Sequence, residues 1–370
     1  MGIPEKIRRI EEDIRKTKVN KATEHHVGIL KAKLSKLKTE QDERRSHGGG
    51  SSTGYDTRRA GDATVALVGL PNVGKSTLLN HLTNAKSKVG SYAFTTLEVV
   101  PGMMEYNGAR IQILDLPGIV GGAASGKGFG KRVLSVARSA DLIILLLDVF
   151  HPDQSPLLRR ELAEMGIRLD ENPPDIVIDK RSSGGLEISI TVPIDVPEDL
   201  IKGILRVYGV HHGRVLIREK VTTDQLIDII SGNRIYTKSI TLVNKIDLVN
   251  QGFLNEVKER IGAEFVPISA DANLNINGLK QIIYDKLDLI RIYMKPRGEE
   301  TDYEEPMIVQ HGSTVLDVCD KVHRNLRKGF RYGFVWGKSV KFNGQRVGMD
   351  HTLLDGDVLT IIGTRQTRSG

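Results

Sequence analysis

This 370-residue chain has a single cysteine, a single tryptophan and only 5% aromatic residues. Cys319, being alone, excludes an internal disulfide and a cysteine-based zinc site. It reads as a small buried hydrophobe on a helix. Long apolar runs are also missing. The longest, Leu142 to Leu147, has the length of a strand and falls far short of the roughly 20 residues that cross a bilayer. The N-terminus is charged from Glu5 onward and carries no apolar signal core. A soluble, cytoplasmic and monomeric protein is expected, with no membrane contact.

What is abundant is charge, and it is unevenly placed. Residues 1–46 hold 13 Lys/Arg against 8 Asp/Glu, a surplus of five out of the net +7 of the whole chain. That asymmetry suits a polyanionic partner, RNA above all, although a solvated helical face would look the same.

The segment reads as a helical hairpin. Ile7, Ile10 and Ile14 recur at helical spacing, as do Val27, Leu30, Leu34 and Leu37, with Asn20 and Thr23 between them. His47 to Gly54 has linker composition, so the hairpin is expected to pivot on it. From Ala63 strands and helices alternate: strands at Thr64–Val68, Arg110–Leu114, Leu142–Asp148, Ile240–Asn244 and Glu264–Ile268, with helices from Lys75 and from Gly130. Such alternation predicts a mostly parallel α/β sheet with its ligand at the carboxyl ends of the strands.

Residues 152–225 break that rhythm. A hairpin-like pair at Asp175–Asp179 and Leu186–Val192, a helix at Pro197–Tyr208 and a strand at Arg214–Arg218 suggest an inserted small α+β subdomain. After Lys295-Pro-Arg-Gly298, short strands around a helix at Thr314–His323 suggest a β-grasp-like module. The expected division is 1–46 hairpin, 47–62 linker, 63–151 and 226–295 nucleotide domain, 152–225 insertion and 296–370 C-terminal module.

Gly69-Leu-Pro-Asn-Val-Gly-Lys-Ser76 matches GxxxxGK[ST] between a strand and a helix. In that context the N–H groups of Gly69, Pro71-flanking Asn72, Val73, Gly74 and Thr77 surround phosphates, Lys75 reaches the β- and γ-phosphates, and Ser76 ligates Mg²⁺. Asp115-Leu-Pro-Gly118 places a carboxylate at a strand end to hold Mg²⁺ through water, and Gly118 offers an N–H to the γ-phosphate. Asn244-Lys-Ile-Asp247 follows another strand. Asp247 can accept from guanine N1–H and the 2-amino group together, which adenine cannot match. Asn244 and Lys245 buttress that loop, and Ser269-Ala270 offers backbone N–H to guanine O6. Each string alone is weak, but their order and strand-end placement together point to GTP or GDP with Mg²⁺.

On these residues, together with Tyr92-Ala-Phe-Thr-Thr-Leu97 and Asp115-Leu-Pro-Gly-Ile119, the chain resembles the developmentally regulated GTP-binding (DRG) family, on the Obg branch of translation-factor-related GTPases. The resemblance spans essentially the whole chain. It implies a P-loop GTPase domain, a ribosomal-protein-S5-like insertion and a C-terminal TGS domain of β-grasp fold. It also implies association with ribosomes and a dedicated companion protein. Under it Tyr92–Leu97 is the first switch, with Thr96 favoured over Thr95 for the Mg²⁺ shell, and the Gly-rich stretch 118–130 is the second.

Ile119 stands where Ras-like GTPases carry a water-orienting glutamine, so slow intrinsic hydrolysis is expected. Asn72 resembles the P-loop asparagine that ligates potassium in potassium-activated relatives, although it could equally stabilise the loop turn. In the C-terminal module Lys321, Arg324, Arg327, Lys328, Arg331 and Lys338 lie among Phe330, Tyr332, Phe334 and Trp336, a mixture suited to unpaired bases. The paired histidines His25/His26 and His211/His212 read as surface or RNA-facing residues.

The leading reading is a GTP-hydrolysing switch acting on ribosomes. A metabolic kinase would not need Asn244-Lys-Ile-Asp247, and an adenine-selective relative would depart from it. A non-catalytic, nucleotide-stabilised RNA-binding scaffold is the remaining alternative, kept open by Ile119.

Overall fold

The computed structural model describes residues 2–18, 20, 23–47, 61–83, 100–116, 137–232 and 234–363. They fall into two compact units, Met1–Asp56 with Gly166–Tyr236 and Thr57–Met165 with Thr237–Gly370.

In the first unit, helices α1 (Ile3–Lys16) and α2 (Glu24–His47) form the hairpin read from the isoleucine and leucine spacing. Val27, Leu30 and Ala32 of α2 are buried, and Ala32 joins a core built from the inserted segment. That segment contributes α5 (Glu198–Val207), α6 (Thr223–Ser231) and strands β6 (Ile176–Lys180), β7 (Leu186–Ile190) and β8 (Gly213–Ile217). Two glycines permit the close crossing of α2 and α5. A Cβ on Gly28 would meet Leu200 Cδ1 at 2.9 Å, and one on Gly203 would meet Ile29 Cδ1 at 2.7 Å. The hairpin therefore does not stand apart from the insertion, because it shares that segment's hydrophobic core.

Two further expectations for the insertion need correction. Strands β6 and β7 do not pair as a hairpin; β8 lies between them, antiparallel to β6 and parallel to β7. The reason is burial: Val215 and Ile217 of β8 are fully covered, while β6 and β7 are half exposed and suit the edges. The unit's second segment also runs from Gly166 to Tyr236, not from 152 to 225. Helix α6, which continues past 225, closes the core with Leu226 and Ile227. Its Asp228 is held between Arg168 at 2.6 Å and Arg234 at 2.7 Å.

The second unit holds two sheets. The larger has the order β10-β9-β4-β1-β3-β2, from β1 (Ala63–Val68), β2 (Val100–Tyr106), β3 (Ala109–Asp115), β4 (Leu142–Asp148), β9 (Ile235–Asn244) and β10 (Val266–Pro267). Along this order every pairing is parallel except β2 with β3. Buried on both faces, β1 and β4 read as continuous apolar runs. The sequence reading missed β2. Its signal was present in Asn107-Gly108, both at positive φ (49° and 80°), the signature of a tight hairpin turn. The strand expected at Glu264–Ile268 shrinks to Val266–Pro267 beside β9.

The second sheet has the order β12-β11-β15-β13-β14, with β11 (Leu289–Met294), β12 (Met307–Gln310), β13 (Phe330–Trp336), β14 (Gln345–Val347) and β15 (Asp357–Gly363). Helix α9 (Val315–Val322) covers one face with Val315, Val318 and the buried Cys319. The module thus begins at Leu289 rather than at 296. Lys295-Pro-Arg-Gly298, which looks like a linker, is a turn inside it, because β11 pairs with both β12 and β15.

Candidate functional site

In a parallel sheet the strand ends converge on one edge, and here that edge carries the loop after β1, Asp115, Asp148 and Asn244. The loop Gly69–Gly74 runs into α3 (Lys75–Leu82) with Gly74 at φ 95° and Asn72 at φ 65°. Glycine is required at two places. A Cβ at position 69 would meet the Leu146 carbonyl oxygen at 2.6 Å, and one at 74 would meet Asn244 Nδ2 at 2.4 Å. The exposed Asn72 takes the left-handed conformation that asparagine tolerates, in keeping with a turn-stabilising role.

Lys75 is buried, and its Nζ donates to the carbonyl oxygens of Gly69 and Leu70, each at 3.0 Å. Burial lowers the pKa of its ammonium, with the Asp115 carboxylate opposing that shift. Ser76 Oγ donates to Asp115 Oδ2 at 3.0 Å. Burial pushes the Asp115 carboxyl up, against the Ser76 hydrogen bond and the Lys75 charge. The other oxygen, Oδ1, is buried and has no hydrogen-bond partner among the described residues. An orphaned carboxylate oxygen beside a serine hydroxyl fits a hard divalent cation such as Mg²⁺, which takes oxygen ligands. Among the described residues no group of three or more His, Cys, Asp or Glu could hold a metal on its own.

Asn244 joins the parts. It is 1% exposed; its Nδ2 donates to the Val73 carbonyl at 2.8 Å and its Oδ1 accepts from the Ala270 N–H at 2.9 Å. One side chain thus ties the phosphate loop to the Ser269–Ala270 loop. Ser269 is fully buried, and its Oγ accepts from the Ala272 N–H at 3.0 Å. Lys245 stands at φ 68° before the short 3₁₀ turn Ile246–Leu248, on which Asp247 is exposed.

Of the residues singled out in the sequence, Gly69, Pro71, Asn72, Val73, Gly74, Lys75, Ser76, Thr77, Asp115, Asn244, Lys245, Asp247, Ser269 and Ala270 are thereby gathered on this edge. Thr95, Thr96, Gly118, Ile119 and both switch segments lie outside the described residues. The sequence reading missed Asp148, whose Oδ2 accepts from Lys245 Nζ at 2.6 Å; no motif marks it.

The C-terminal module also sorts its aromatic residues. Tyr332, Phe334 and Trp336 alternate along β13 on one face, with ring centroids 5.4 and 6.3 Å apart in sequence, while Phe330 packs on the core. The cations beside the rings are Arg346, 4.0 Å from the Tyr332 centroid, and Lys295, 5.2 Å from that of Trp336. Of those expected there, Lys321 pairs with Asp62 at 2.9 Å and Arg327 with Asp320 at 3.3 Å. His212 proves structural, its Nδ1 accepting from the Gly185 N–H at 2.9 Å.

A GxxxxGKS loop between strand and helix, a buried lysine in it and an Asn-Lys-Ile-Asp string at a neighbouring strand end mark a GTP-binding protein of the P-loop GTPase class. The chain belongs to the developmentally regulated GTP-binding protein family. Developmentally-regulated GTP-binding protein 1 of Xenopus laevis is 43% identical over 365 residues, 98% of this chain and 99% of its own. An uncharacterized GTP-binding protein of Methanocaldococcus jannaschii is 53% identical over 366 residues, 98% of this chain and 93% of its own. The family described as 50S ribosome-binding GTPase matches residues 64–180, its C-terminal region 183–289, and the TGS domain 290–363. Among solved structures the YchF GTPase of Schizosaccharomyces pombe covers 82% of this chain and 99% of its own at 14% identity and TM-score 0.46; at that score the likeness supports no inference. The finer placement on the Obg branch is the part these matches do not carry.

Proposed function

We propose that the chain hydrolyses GTP to GDP and phosphate and works as a nucleotide-dependent switch on ribosomes or their RNA. The observation that carries this reading is Asn244, which links the phosphate loop to the Ser269–Ala270 loop, so that one rigid edge can grip phosphates and base together. In hydrolysis a water oxygen bonds to the γ-phosphorus, the bond from that phosphorus to the β,γ-bridging oxygen breaks, and GDP leaves.

The N–H groups of Gly69 to Thr77 cradle the phosphates. Lys75 exchanges its two carbonyl partners for phosphate oxygens, at little electrostatic cost because they are neutral. Ser76, Asp115 and Thr96 would hold a Mg²⁺ ion, and Gly118 would donate to the γ-phosphate. When bound, that ion neutralises charge building on the β- and γ-phosphate oxygens. Asp247 reads the guanine edge, Lys245 covers the base, and Ser269-Ala270 meets O6. With Ile119 in place of a glutamine, turnover is slow, and potassium bound at Asn72 raises it.

The RNA partner is supported by the aromatic row Tyr332, Phe334 and Trp336 flanked by Arg346 and Lys295, a surface on which unpaired bases stack. The family description 50S ribosome-binding GTPase agrees with it. Among the described residues no helix is long and apolar enough to cross a membrane.

The test is co-sedimentation with ribosomes in a non-hydrolysable GTP analogue and in GDP, beside multiple-turnover phosphate release in potassium and in sodium. Tight binding with the analogue, weaker binding with GDP and faster release in potassium are the expected results. Equal rates in the two salts remove the Asn72 role. Nucleotide-indifferent binding without phosphate release would establish a scaffold instead.

A further inference from the structure

We propose that Asp148, at the carboxyl end of β4, is a positioning residue that sets the guanine-reading loop through Lys245; this rests on the GTP reading of Asn244–Asp247. Strand β4 pairs in parallel with β9, and the register places Asp148 directly beside Asn244. Its side chain is only 12% exposed, so the carboxylate is largely withdrawn from water and depends on partners.

Both oxygens are used, each for a different purpose. Oδ1 accepts from the Phe150 N–H at 3.0 Å, which turns the chain as it leaves β4. Oδ2 accepts from Lys245 Nζ at 2.6 Å, a charge-assisted contact at the short end of the range for nitrogen donors. A third bond closes the corner, from the Val149 N–H to the Asn244 carbonyl at 3.1 Å.

Lys245 is a site where outside support matters. It holds φ 68°, a conformation uncommon for a residue with a long side chain, and it sits two positions before Asp247. With Nζ anchored, the aliphatic stem cannot swing away, and the backbone that aims Asp247 is held in one geometry before any nucleotide arrives. Preorganisation of this kind strengthens binding by removing the ordering cost, and here it acts on base recognition. Asn244 fixes the loop from the phosphate side; Asp148 fixes it from the β4 side.

The experiment compares wild type with Asp148→Asn, Asp148→Ala, Lys245→Ala and the Asp148→Ala/Lys245→Ala pair. It measures dissociation constants for fluorescent GDP and for inosine diphosphate, which lacks the 2-amino group. Asp148→Asn retains an acceptor for the Phe150 N–H but not the charge. It is expected to weaken GDP binding about tenfold, in line with loss of a charge-assisted hydrogen bond, and to shrink the preference for GDP over inosine diphosphate. The paired variant is expected to bind no more weakly than Lys245→Ala alone, since Asp148 acts through that lysine.

Wild-type affinity and preference in Asp148→Asn would overturn the proposal and leave Asp148 a turn residue. Fully additive losses in the paired variant would overturn it as well. Should Asp148→Ala fail to fold, Asp148→Asn decides by itself. Failure of wild type to bind GDP would count against the GTP reading, a result separate from any difference among the variants.

Discussion

Asn244 shows how much one buried side chain can carry. Its amide donates to one loop and accepts from another, and it is 1% exposed. Asn244→Ala leaves the Val73 carbonyl and the Ala270 N–H without these partners. The expected cost is about 2 to 6 kcal/mol of folding stability, from two buried polar groups at about 1 to 3 kcal/mol each. Nucleotide affinity should fall further than stability alone explains, because both gripping loops lose their common anchor. Urea denaturation of the nucleotide-free protein and GDP titration measure the two effects separately. The strand-end placement of Gly69–Ser76 and Asn244–Asp247 was legible, because apolar strand runs precede both strings in the sequence. Asp148 was not, since an aspartate closing an apolar strand has no spacing signature, and only the β4–β9 register places it beside Asn244 and within reach of Lys245.

Among the elements, the α2–α5 crossing depends on small residues. Gly28→Val would drive a Cβ to 2.9 Å from Leu200 Cδ1 and 3.2 Å from Thr223 Cγ2. Overpacking of this kind costs about 1 to 3 kcal/mol, and it should appear as a lower denaturation midpoint together with faster proteolysis in the hairpin. In the C-terminal module, Asp355 ties β11 to the turn before β15. It accepts from the Arg291 side chain at 3.1 and 2.7 Å and from the Arg291 N–H at 2.8 Å. The Arg291 hydrogen bonds hold its carboxyl below the ordinary value of 3.8, against burial. A depressed carboxyl pKa adds stability that is present above the unfolded-state pKa and is lost as pH falls through the folded one. The side chains are 36% and 44% exposed, so solvent screens the pair and the contribution is about 1 kcal/mol or less. Asp355→Asn should therefore lower stability slightly at pH 7 and make no difference in strong acid, as guanidinium titrations at the two pH values would show. Element types were legible from periodicity; partners were not. Strand β8 entered between β6 and β7 because its side chains are the ones the core covers, a competition no local window records.

For the molecule as a whole, the two compact units each combine stretches distant in the chain. The basic hairpin shares a core with the inserted segment, so deleting 1–46 would expose Leu200 and its neighbours and would not report on charge alone. A cleaner test of RNA contact lies on β13. Phe334→Ala should weaken binding of a single-stranded RNA by about 1 to 3 kcal/mol if one base stacks there. Neutralising Lys295 and Arg346 together should reduce the slope of log affinity against log salt by about 1.4, or about 0.7 per phosphate contact. Fluorescence anisotropy across a salt series measures both, and unchanged slope and affinity would move the RNA surface elsewhere. By itself, the sequence determined the P-loop class, the mostly parallel sheet and the β-grasp module. Each of those rests on local chemistry, whether a required glycine, an apolar period or a turn. Tertiary structure alone decided the strand order of the insertion, the docking of the hairpin, the start of the last module at Leu289 and the pairing of Asp148 with Lys245. Those depend on which buried surfaces and charges meet across long separations, and a contact between distant residues leaves no mark in the spacing of either.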